Sequence, residues 1–400
     1  MKILQINAVS GISSTGRICT EITDYLNHNG HEGFIAYSDG IPAKKGYRIG
    51  SSIDHKLHAF WSRIYGKQAY FSSRATNNLI RYIQNVKPDV VHLHNLHNNY
   101  INLKLLLDHL AVNDVPTVIT LHDCWFYTGK CTHYTLDNCN KWRDKCGNCP
   151  RLKKDNPSWF FDYSSEMLAD KKQGFSQIPR LAVVGVSDWI TSEAQKSFLA
   201  NARIVQRIYN WIDTDVFKPT DADAVRKKLN IDNKYIVLGV ASGWSNAKGL
   251  DKFIEVSKIL PEEIQLVLVG GLPHDITLPG NILHLPNTHS VDDLVAYYSM
   301  ADVYLHLSEE ETFGKVIAEA MSCGTPAIVL NSTACPEVVG NSGGIVIDRF
   351  SPDAVRQAIQ IIREIPKREW REKAVRHVKE NFEKNDLIMA HLELYRKIMN

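Results

Sequence analysis

The feature that most constrains the fold is a regular alternation of short apolar runs with amphipathic segments. The runs have the length of buried strands and lie at 2–7, 89–94, 116–122, 181–187, 203–209, 235–242, 264–271, 281–286, 302–308, 326–330 and 343–348. Helical patterns separate the later runs, at 249–260, 291–301, 312–323 and 353–364. Such alternation is typical of parallel sheets that carry helices on both faces. Because the series restarts after about residue 210, we expect an α/β protein with two parallel sheets.

The chain length also indicates two domains, because 400 residues exceed what one core usually supports. We expect an N-terminal domain over 1–208, a C-terminal domain over 209–383 and a final helix over 384–400. The turn-rich segment 209–224 is the predicted linker. Between about 123 and 180 the alternation fails, and a Cys- and Trp-rich insert takes its place.

Composition excludes several classes of protein. The apolar share of 44% and the charged share of 22% are ordinary for a globular protein, and a net charge of +2 gives no case for nucleic-acid binding. The opening run resembles a strand rather than a signal peptide, and no run has the roughly 18 apolar residues of a spanning helix. We therefore expect a cytoplasmic protein, in which the eight cysteines are reduced or metal-bound rather than paired as disulfides.

The loop after the first predicted strand, "GISSTGRICTEI" at 11–22, is one step from a phosphate-binding Walker A motif. Arg17 and Ile18 stand where that motif requires Lys and Ser or Thr, which argues against ATPase chemistry. A helix started by Gly16 could still offer backbone amides to a phosphate or a sugar hydroxyl. The alternative is a glycine that only eases a tight turn.

Polar side chains follow two further strands of the first series. "HLHNLHNN" carries His94, Asn95 and His97, and "LHDCWFY" carries His122 and Asp123. Because open parallel sheets bind ligands at the carboxyl ends of their strands, these residues form a candidate polar ligand floor. Histidines in such loops are also commonly structural, and their spacing is not diagnostic of a metal.

In the second series, Lys248 and Gly249 begin a helix directly after a strand. A cation beside exposed amides suits a diphosphate, whereas the simpler alternative is a surface lysine. Further on, three consecutive acids precede a helix, and Glu311 and Glu319 lie eight residues apart, a helical rise of at most about 12 Å. Acids at a helix start are often only solvated, but this pair could accept the hydroxyls of a nucleoside sugar while the Phe313 and Gly314 amides face the reacting end.

The surroundings of that pair carry a family resemblance. The form E-x7-E with an internal Phe-Gly, ending in Cys-Gly-Thr-Pro at 323–326, resembles the signature of glycosyltransferase family 4, the retaining GT-B enzymes. "NWIDTDVFKP" at 210–219, "PEVVGNSGGIVI" at 336–347, "KPDVVHLHN" and "TLHD" also resemble segments of that family. The resemblance implies two Rossmann-like domains that face a central cleft, with the final helix crossing back to the N-terminal domain. It also implies a nucleotide-diphospho-sugar donor, bound mainly by the C-terminal domain.

The resemblance further implies roles for individual residues. Glu319 would hold the ribose, Glu311 the donor sugar and Lys248 the diphosphate, while Gly16 approaches the diphosphate and His122 contacts the sugar near its anomeric centre. The predicted catalytic residues are His122, Lys248 and Glu311. The predicted donor-binding residues are Gly16, Arg17, Trp244, Phe313, Gly314, Lys315 and Glu319. The predicted acceptor-side residues are His94, Asn95, His97 and Asp123.

One position departs from the family pattern. Trp244 stands where members usually have an arginine, so Arg17, Arg207 or Lys315 would have to supply the missing cation. The departing nucleoside diphosphate can be stabilised by Lys248 and helix-start amides without a metal, and GT-B enzymes generally need none. The acidic triplets at 213–215 and 221–223 only superficially copy a metal-binding D-x-D motif. We therefore expect no cofactor for catalysis.

The insert contains four closely spaced cysteines, Cys131, Cys139, Cys146 and Cys149. Four thiolates could close a structural tetrahedral zinc site. Labile disulfides or free thiols are the alternatives. Similar inserts occur in members of the resembled family that assemble bacterial polysaccharides, which favours a structural or acceptor-side role.

The segment 55–83 mixes aromatic and basic side chains, with further cations just before it. The basic residues of the region are Lys44, Lys45, Arg48, Lys56, Arg63, Lys67, Arg74 and Arg81. Basic amphipathic segments can lie on anionic membranes, although many are half-buried helices whose cations reach to water. Peripheral contact with the inner face of the plasma membrane would suit a lipid-linked acceptor.

We therefore predict a hexosyl-type retaining glycosyltransferase that moves a sugar from a nucleotide-diphospho-sugar to a glycan or lipid-linked acceptor in bacterial surface-polysaccharide biosynthesis. One alternative is a nucleotide-sugar epimerase on the same fold. The other is a non-catalytic nucleotide-sugar-binding or scaffold protein.

Overall fold

The computed structural model describes residues 1–288 and 290–400. They form two compact units, one of Met1–Ile208 with Ile388–Asn400 and the other of Tyr209–Leu387. Each unit contains one sheet whose strands are all parallel, with seven described strands in the first and six in the second. The predicted α/β fold with two parallel sheets is confirmed.

The first unit is built on a sheet in the order β3-β2-β1-β4-β5-β6-β7. Its strands are β1 (Lys2–Ser10), β2 (Glu32–Gly40), β3 (Gly46–Arg48), β4 (Val90–Leu93), β5 (Thr117–Leu121), β6 (Leu181–Gly185) and β7 (Ile204–Arg207). Its helices are α1 (Ser13–His28), α2 (Ser52–Tyr65), α3 (Ser73–Val86), α4 (Leu103–Val112), α5 (Ser164–Ser176) and α6 (Asp188–Gln195). Every residue of β4, β5 and β6 is buried, as expected for strands covered on both faces.

The second unit has a sheet in the order β10-β9-β8-β11-β12-β13. Its strands are β8 (Tyr235–Gly243), β9 (Ile264–Gly271), β10 (Ile282–Leu285), β11 (Val303–His306), β12 (Ala327–Leu330) and β13 (Gly344–Ile347). The helices that follow β7 are α7 (Asp223–Lys228), α8 (Leu250–Ser257), α9 (Val291–Met300), α10 (Lys315–Ser322), α11 (Cys335–Val339), α12 (Pro352–Glu364), α13 (Lys367–Asn381) and α14 (Lys384–Met399). The last of these, α14, begins in the second unit and contributes its residues from Ile388 onward to the first.

Three sequence expectations are refined by the structure. The basic segment 55–83 is not one element, because α2 ends at Tyr65, with Gly66 as its C-cap, and α3 starts at Ser73. The predicted linker 209–224 is packed rather than loose, since the Ile212 amide donates to the Phe382 carbonyl at 2.8 Å. The insert lacks regular structure apart from a 3-10 turn at Lys141–Arg143 until α5 begins.

Strand order reverses direction once in each sheet, between β1 and β4 in the first and between β8 and β11 in the second. At such a switch point the two following loops diverge and leave a crevice beyond the carboxyl ends of the strands, where open α/β sheets bind their ligands. Among the described residues, no helix is both long enough and apolar enough to cross a membrane.

Candidate active site

The switch point of the second unit brings a lysine and a glutamate into contact. The loop after β8 carries Lys248, which is followed by Gly249 in the left-handed conformation, with φ of +79°. The loop after β11 carries Glu311. The Lys248 ammonium donates to Glu311 Oε1 at 2.6 Å. Two residues that are 63 positions apart in the chain therefore meet where the strand order predicts a ligand site.

The Glu311 side chain is ionised although only 16% of its surface is exposed. Burial alone would raise the pKa of this carboxyl, but the neighbouring Lys248 and His306 hold it well below the usual value. The His306 Nε2 atom lies 3.4 Å from Glu311 Oε1. The Glu311 amide donates to Thr333 Oγ1 at 3.0 Å, so the loop is also fixed to the loop after β12.

The second glutamate of the motif, Glu319, lies one turn inside α10. It is 7% exposed, and its Oε2 atom accepts a hydrogen bond from the Tyr298 hydroxyl at 3.1 Å. Burial, together with this carboxylate, raises the pKa of Tyr298. Tyr298 therefore stays protonated and can hold the carboxylate in one orientation.

The start of α10 is shaped by backbone rather than by side chains. Gly314 has a φ of +85°, and a Cβ there would lie 2.7 Å from Ile317 Cδ1. The Phe313 ring is buried and packs edge-to-face against Phe382, with ring centroids 5.2 Å apart. The Phe313 side chain is thus used in packing, and ligand contact by the amides of Phe313 and Gly314 stays a prediction. Lys315, the first helical residue, is half-buried.

Trp244 lies in the core of the second unit. It is 5% exposed, its indole Nε1 donates to the Val269 carbonyl at 3.1 Å, and its ring packs against Phe253. The polar atom of the side chain is thus already used inside the protein. This placement argues against the predicted donor contact of Trp244.

At the switch point of the first unit, Gly16 does not start the helix but allows α1 to pack closely against the end of β1. α1 begins at Ser13, so Gly16 lies within its first turn. A Cβ on Gly16 would come within 3.2 Å of Gly11 N and of the Val9 carbonyl, so a side chain there would push α1 away from β1. The amides at the helix start belong instead to residues 13–15, and the Arg17 side chain is exposed.

His94 and His122, which follow β4 and β5, are joined by a hydrogen bond. His94 Nε2 lies 2.6 Å from Gln5 Oε1, and His94 Nδ1 lies 2.9 Å from His122 Nε2. Burial lowers the pKa of His94, so the ring is neutral. Because the Gln5 oxygen can only accept, His94 donates through Nε2, and its Nδ1 accepts the Nε2 proton of His122. The pair therefore fixes both the orientation and the tautomer of His122.

His97 and Asp123 make a second, separate pair. His97 Nε2 lies 2.8 Å from Asp123 Oδ2, and Asp123 Oδ1 accepts from the Trp125 amide at 2.8 Å. Burial alone would raise the pKa of Asp123, but His97 and that amide lower it overall. Asn95 uses its backbone amide to donate to Asn7 Oδ1 at 3.1 Å. The predicted polar floor thus consists of the His94–His122 pair, the His97–Asp123 pair and the backbone contact of Asn95.

One small cavity of about 20 Å³ in the insert is lined by Cys131, Cys139, Cys146 and Cys149. The sulfurs of Cys131 and Cys149 are 3.9 Å apart, and their contact raises the pKa of Cys131 and lowers that of Cys149 to about 7. The described residues contain no disulfide. Within residues 1–288 and 290–400, no three His, Cys, Asp or Glu side chains come together as a metal-binding group. The structure therefore does not show the predicted zinc site.

Sequence reasoning missed two buried lysines that organise the insert. Lys171 donates to the carbonyls of Trp125 and Thr128 at 2.6 and 2.9 Å, and Lys130 donates to the Arg151 carbonyl at 3.0 Å. Ammonium groups here satisfy backbone oxygens that have no strand or helix partner. No pattern in the sequence marks these lysines. His306, in contrast, could have been found as the polar residue at the carboxyl end of an otherwise apolar strand.

Comparison with known proteins finds two matching family models. The model for "Glycosyltransferase Family 4" matches residues 15–216, and the model for "Glycosyl transferases group 1" matches residues 221–381. The N-acetyl-alpha-D-glucosaminyl L-malate synthase of Bacillus anthracis is 28% identical over 231 residues, which are 54% of this chain and 60% of that protein. WcaC of Escherichia coli (strain K12), whose name describes a glycosyl transferase of colanic acid biosynthesis, is 27% identical over 297 residues, which are 71% of this chain and 70% of WcaC.

Among solved structures, Anabaena Alr3699/HepE in complex with UDP superposes with a TM-score of 0.69 at 17% identity. The match covers 99% of this chain and 100% of HepE. At that identity the likeness establishes the fold alone, which is the GT-B fold of two parallel-sheet units predicted above. With one family model covering half of its residues, the chain belongs to Glycosyltransferase Family 4.

Proposed function

We propose that the protein is a retaining, hexosyl-type glycosyltransferase that takes a sugar from a nucleotide-diphospho-sugar. The observation that carries this proposal is the contact between Lys248 and Glu311 at 2.6 Å, at the switch point of the second sheet. Family membership supports it, as does the presence of UDP in the HepE complex. Neither family model describes an epimerase, so nothing favours that alternative.

In the proposed donor site, Lys248 holds the diphosphate and Glu311 holds the donor sugar. An ammonium has three N–H donors, so Lys248 can keep its bond to Glu311 and still donate to a phosphate oxygen. The ionised Glu311 carboxylate can accept sugar hydroxyls, and Glu319 can accept those of the ribose. The amides at Phe313 and Gly314 are aimed from the start of α10, where a helix favours negative charge.

The proposed chemistry needs no metal. As the bond from the sugar to the diphosphate breaks, negative charge grows on the leaving phosphate, and Lys248 and the amides before α10 stabilise that charge. Retention by front-face attack lets the leaving phosphate take the proton of the acceptor hydroxyl. For the first unit we propose an acceptor-side role for His94, Asn95, His97 and Asp123, with His122 as its catalytic residue.

The acceptor we propose is a glycan or a lipid-linked glycan of bacterial surface-polysaccharide biosynthesis. Support comes from the name of WcaC, the E. coli relative that aligns with 71% of this chain. The proposal places the protein in the cytoplasm, at the inner face of the plasma membrane. A scaffold that only binds nucleotide-sugars is the competing function, because it would use the same donor site without turnover.

The donor test is a thermal-shift screen against UDP-, GDP-, ADP- and TDP-sugars, because a ligand that binds the native state raises its melting temperature. Turnover is then measured as nucleoside diphosphate released when acceptor is added. Glu311→Gln should lose about 10²–10³ in kcat, as when a transition-state contact is removed. The matched control is Glu309→Gln, since the neighbouring Glu309 pairs with Lys252 at 3.1 Å. Full activity in Glu311→Gln would contradict the catalytic assignment.

Structural zinc stays a prediction for Cys131, Cys139, Cys146 and Cys149. Zinc bonds of about 2.3 Å place tetrahedral sulfurs about 3.8 Å apart, close to the Cys131–Cys149 distance, but the other two cysteines do not complete the group as placed. Elemental analysis of the purified protein decides the matter. Stoichiometric zinc in the wild type that is lost in Cys149→Ser would support the zinc site. A purified protein that contains no zinc, and whose stability does not change when zinc is added, would contradict it.

A further inference from the structure

Helix α2 carries its apolar stripe on the solvent side. The exposed members, at intervals of three, four or one residues, are Ile53, Leu57, Phe60, Trp61 and Tyr65, with exposed fractions of 70%, 54%, 46%, 41% and 41%. The side that faces the protein instead holds His58 and Ser62, which are buried. A surface helix normally turns its apolar stripe toward the core. α2 does the reverse along its whole length.

A second segment extends the same surface. Trp159, Phe160 and Phe161, in the loop before α5, are 45%, 70% and 46% exposed. The Phe60 and Trp159 rings meet with centroids 6.3 Å apart, and the Tyr65 and Phe161 rings stack at 6.1 Å. These three residues and the five exposed apolar residues of α2 form one continuous surface, which we term the aromatic face. Contiguous exposed apolar surface of this kind marks a binding site.

The aromatic face is held in place by backbone contacts. The Trp159 amide donates to the Arg63 carbonyl at 2.6 Å, and the Ser158 hydroxyl donates to the Phe161 carbonyl at 2.6 Å. Gly66, with a φ of +68°, ends α2 against the same loop, where a Cβ would lie 2.5 Å from the Phe161 carbonyl oxygen. The two segments are therefore fitted to each other, and the aromatic side chains are presented together.

Basic side chains border the aromatic face. Lys56 and Arg63 are exposed on α2, and in the part of the chain that the structure describes neither forms an ion pair. Lys153 is exposed on the neighbouring loop and donates to the Ser158 carbonyl at 2.8 Å. The one acid of α2, Asp54, is engaged in the capping box with Ser51 at the start of the helix. Three cations, Lys56, Arg63 and Lys153, thus border the face.

We infer that the aromatic face docks onto an anionic lipid bilayer, with α2 lying in the plane of the interface. Trp and Tyr side chains favour the boundary between headgroups and acyl chains, and flanking Lys and Arg favour anionic headgroups. At about 1.5 Å per residue, a 14-residue helix presents its stripe over about 20 Å. The biological purpose of this docking rests on the proposed function, because it would bring the enzyme to a lipid-linked acceptor. The binding to lipid can be measured without donor or acceptor.

The test is co-sedimentation of the full chain with phosphatidylcholine vesicles that contain or lack phosphatidylglycerol. The wild-type protein should bind the anionic vesicles, and increasingly weakly as salt is raised. The variant Ile53→Gln/Trp61→Gln/Phe160→Ser should lower the partition coefficient at least about tenfold by removing buried apolar area. Lys56→Gln/Arg63→Gln should lower it about 30-fold, the factor expected for two basic side chains near an anionic surface.

Two control variants replace one exposed apolar residue and two exposed basic residues of the second unit, outside the aromatic face. Ile361 is 49% exposed, and Lys227 and Lys228 are exposed, so Ile361→Gln and Lys227→Gln/Lys228→Gln should bind as the wild type does. Unchanged melting temperatures establish that the variants are folded.

Partition of the wild type no greater than that of the triple variant would overturn the inference. A dimer of the wild type that the triple variant loses, with equal vesicle binding, would overturn it in favour of a second copy. If the wild type binds the anionic vesicles but none of the nucleotide-sugars shifts its melting temperature, the proposed function is refuted and the membrane inference stands.

Discussion

Acidification from about pH 7.5 to about pH 5.5, the range in which ordinary histidines gain a proton, should destabilise the first unit far more than the second. The first unit buries His58, His92 and His94 almost completely. Burial lowers the pKa of His58 to about 3 and those of His92 and His94 well below the usual value. His92 and His94 also use both ring nitrogens in hydrogen bonds without an extra proton, as in the contact of His92 Nδ1 with the Tyr395 hydroxyl at 2.8 Å.

The sign and size of the effect follow from proton linkage. Below about pH 6.5 the unfolded chain binds a proton at each of these histidines and the native state does not, so the free energy of unfolding falls as the pH falls. At about pH 5.5 each histidine lowers the free energy of unfolding by about 1.4 kcal/mol, and the three together lower it by about 4 kcal/mol. The lowered pKa of Asp123 adds nothing in this window, because its contribution is lost only below the ordinary pKa of a carboxyl, near 3.9.

Amide hydrogen exchange followed by mass spectrometry separates the two units. Protection of β4 and β5 should fall by roughly three powers of ten at the lower pH, after correction for the intrinsic exchange rate, if these amides exchange through opening of the unit. Protection of β9 and β11 should change less, since the described residues of the second unit include one histidine with a lowered pKa, the half-buried His377. His94→Gln should remove about a third of the pH dependence, and exposed His274→Gln should leave it unchanged. Equal losses in both units, or none in the first, would refute the reasoning.

Three further substitutions test single contacts. Gly314→Ala should destabilise the protein by roughly 1–2 kcal/mol, because its φ of +85° suits glycine, and should weaken donor binding, both read by thermal shift. Lys171→Met should cost at least about 2 kcal/mol in denaturant unfolding by leaving buried carbonyls unpaired, whereas exposed Lys172→Met should cost little. Tyr298→Phe should raise the donor KM about fivefold with little loss of kcat, because it removes the bond that positions Glu319.

The sequence predicted the parts of the site that follow from strand order. Strands read from apolar runs give the loops that follow them, and parallel strands bring the ends of those loops to one edge of the sheet. Lys248 and Glu311 meet for that reason. What a loop position does not specify is the direction of its side chain, so Trp244 could not be distinguished from a ligand contact although its ring turns into the core.

Periodicity has a similar limit on α2. Spacing of three and four residues identifies an apolar stripe, but the same spacing describes a stripe that faces the core and one that faces water. The basic residues gave the only hint of the outward orientation, and the partner segment at 159–161 lies too far away in the sequence for any local pattern to join the two. The insert has no period at all, so the carbonyl-binding role of Lys171 depends on tertiary packing that no short window contains.

The family resemblance implied an arginine where Trp244 stands, and its replacement changes how the proposed donor site must work. With Trp244 inside the core, the proposed groups of the second unit that could contact a diphosphate are Lys248, the half-buried Lys315 and the amides before α10. Lys248 is 42% exposed and already bonded to Glu311, so its full charge is not available to the phosphate. A larger share of the stabilisation must therefore come from the backbone at Phe313 and Gly314, whose geometry depends on a left-handed glycine. In this chain, the fixed backbone at the start of α10 is expected to matter for catalysis as much as the lysine does.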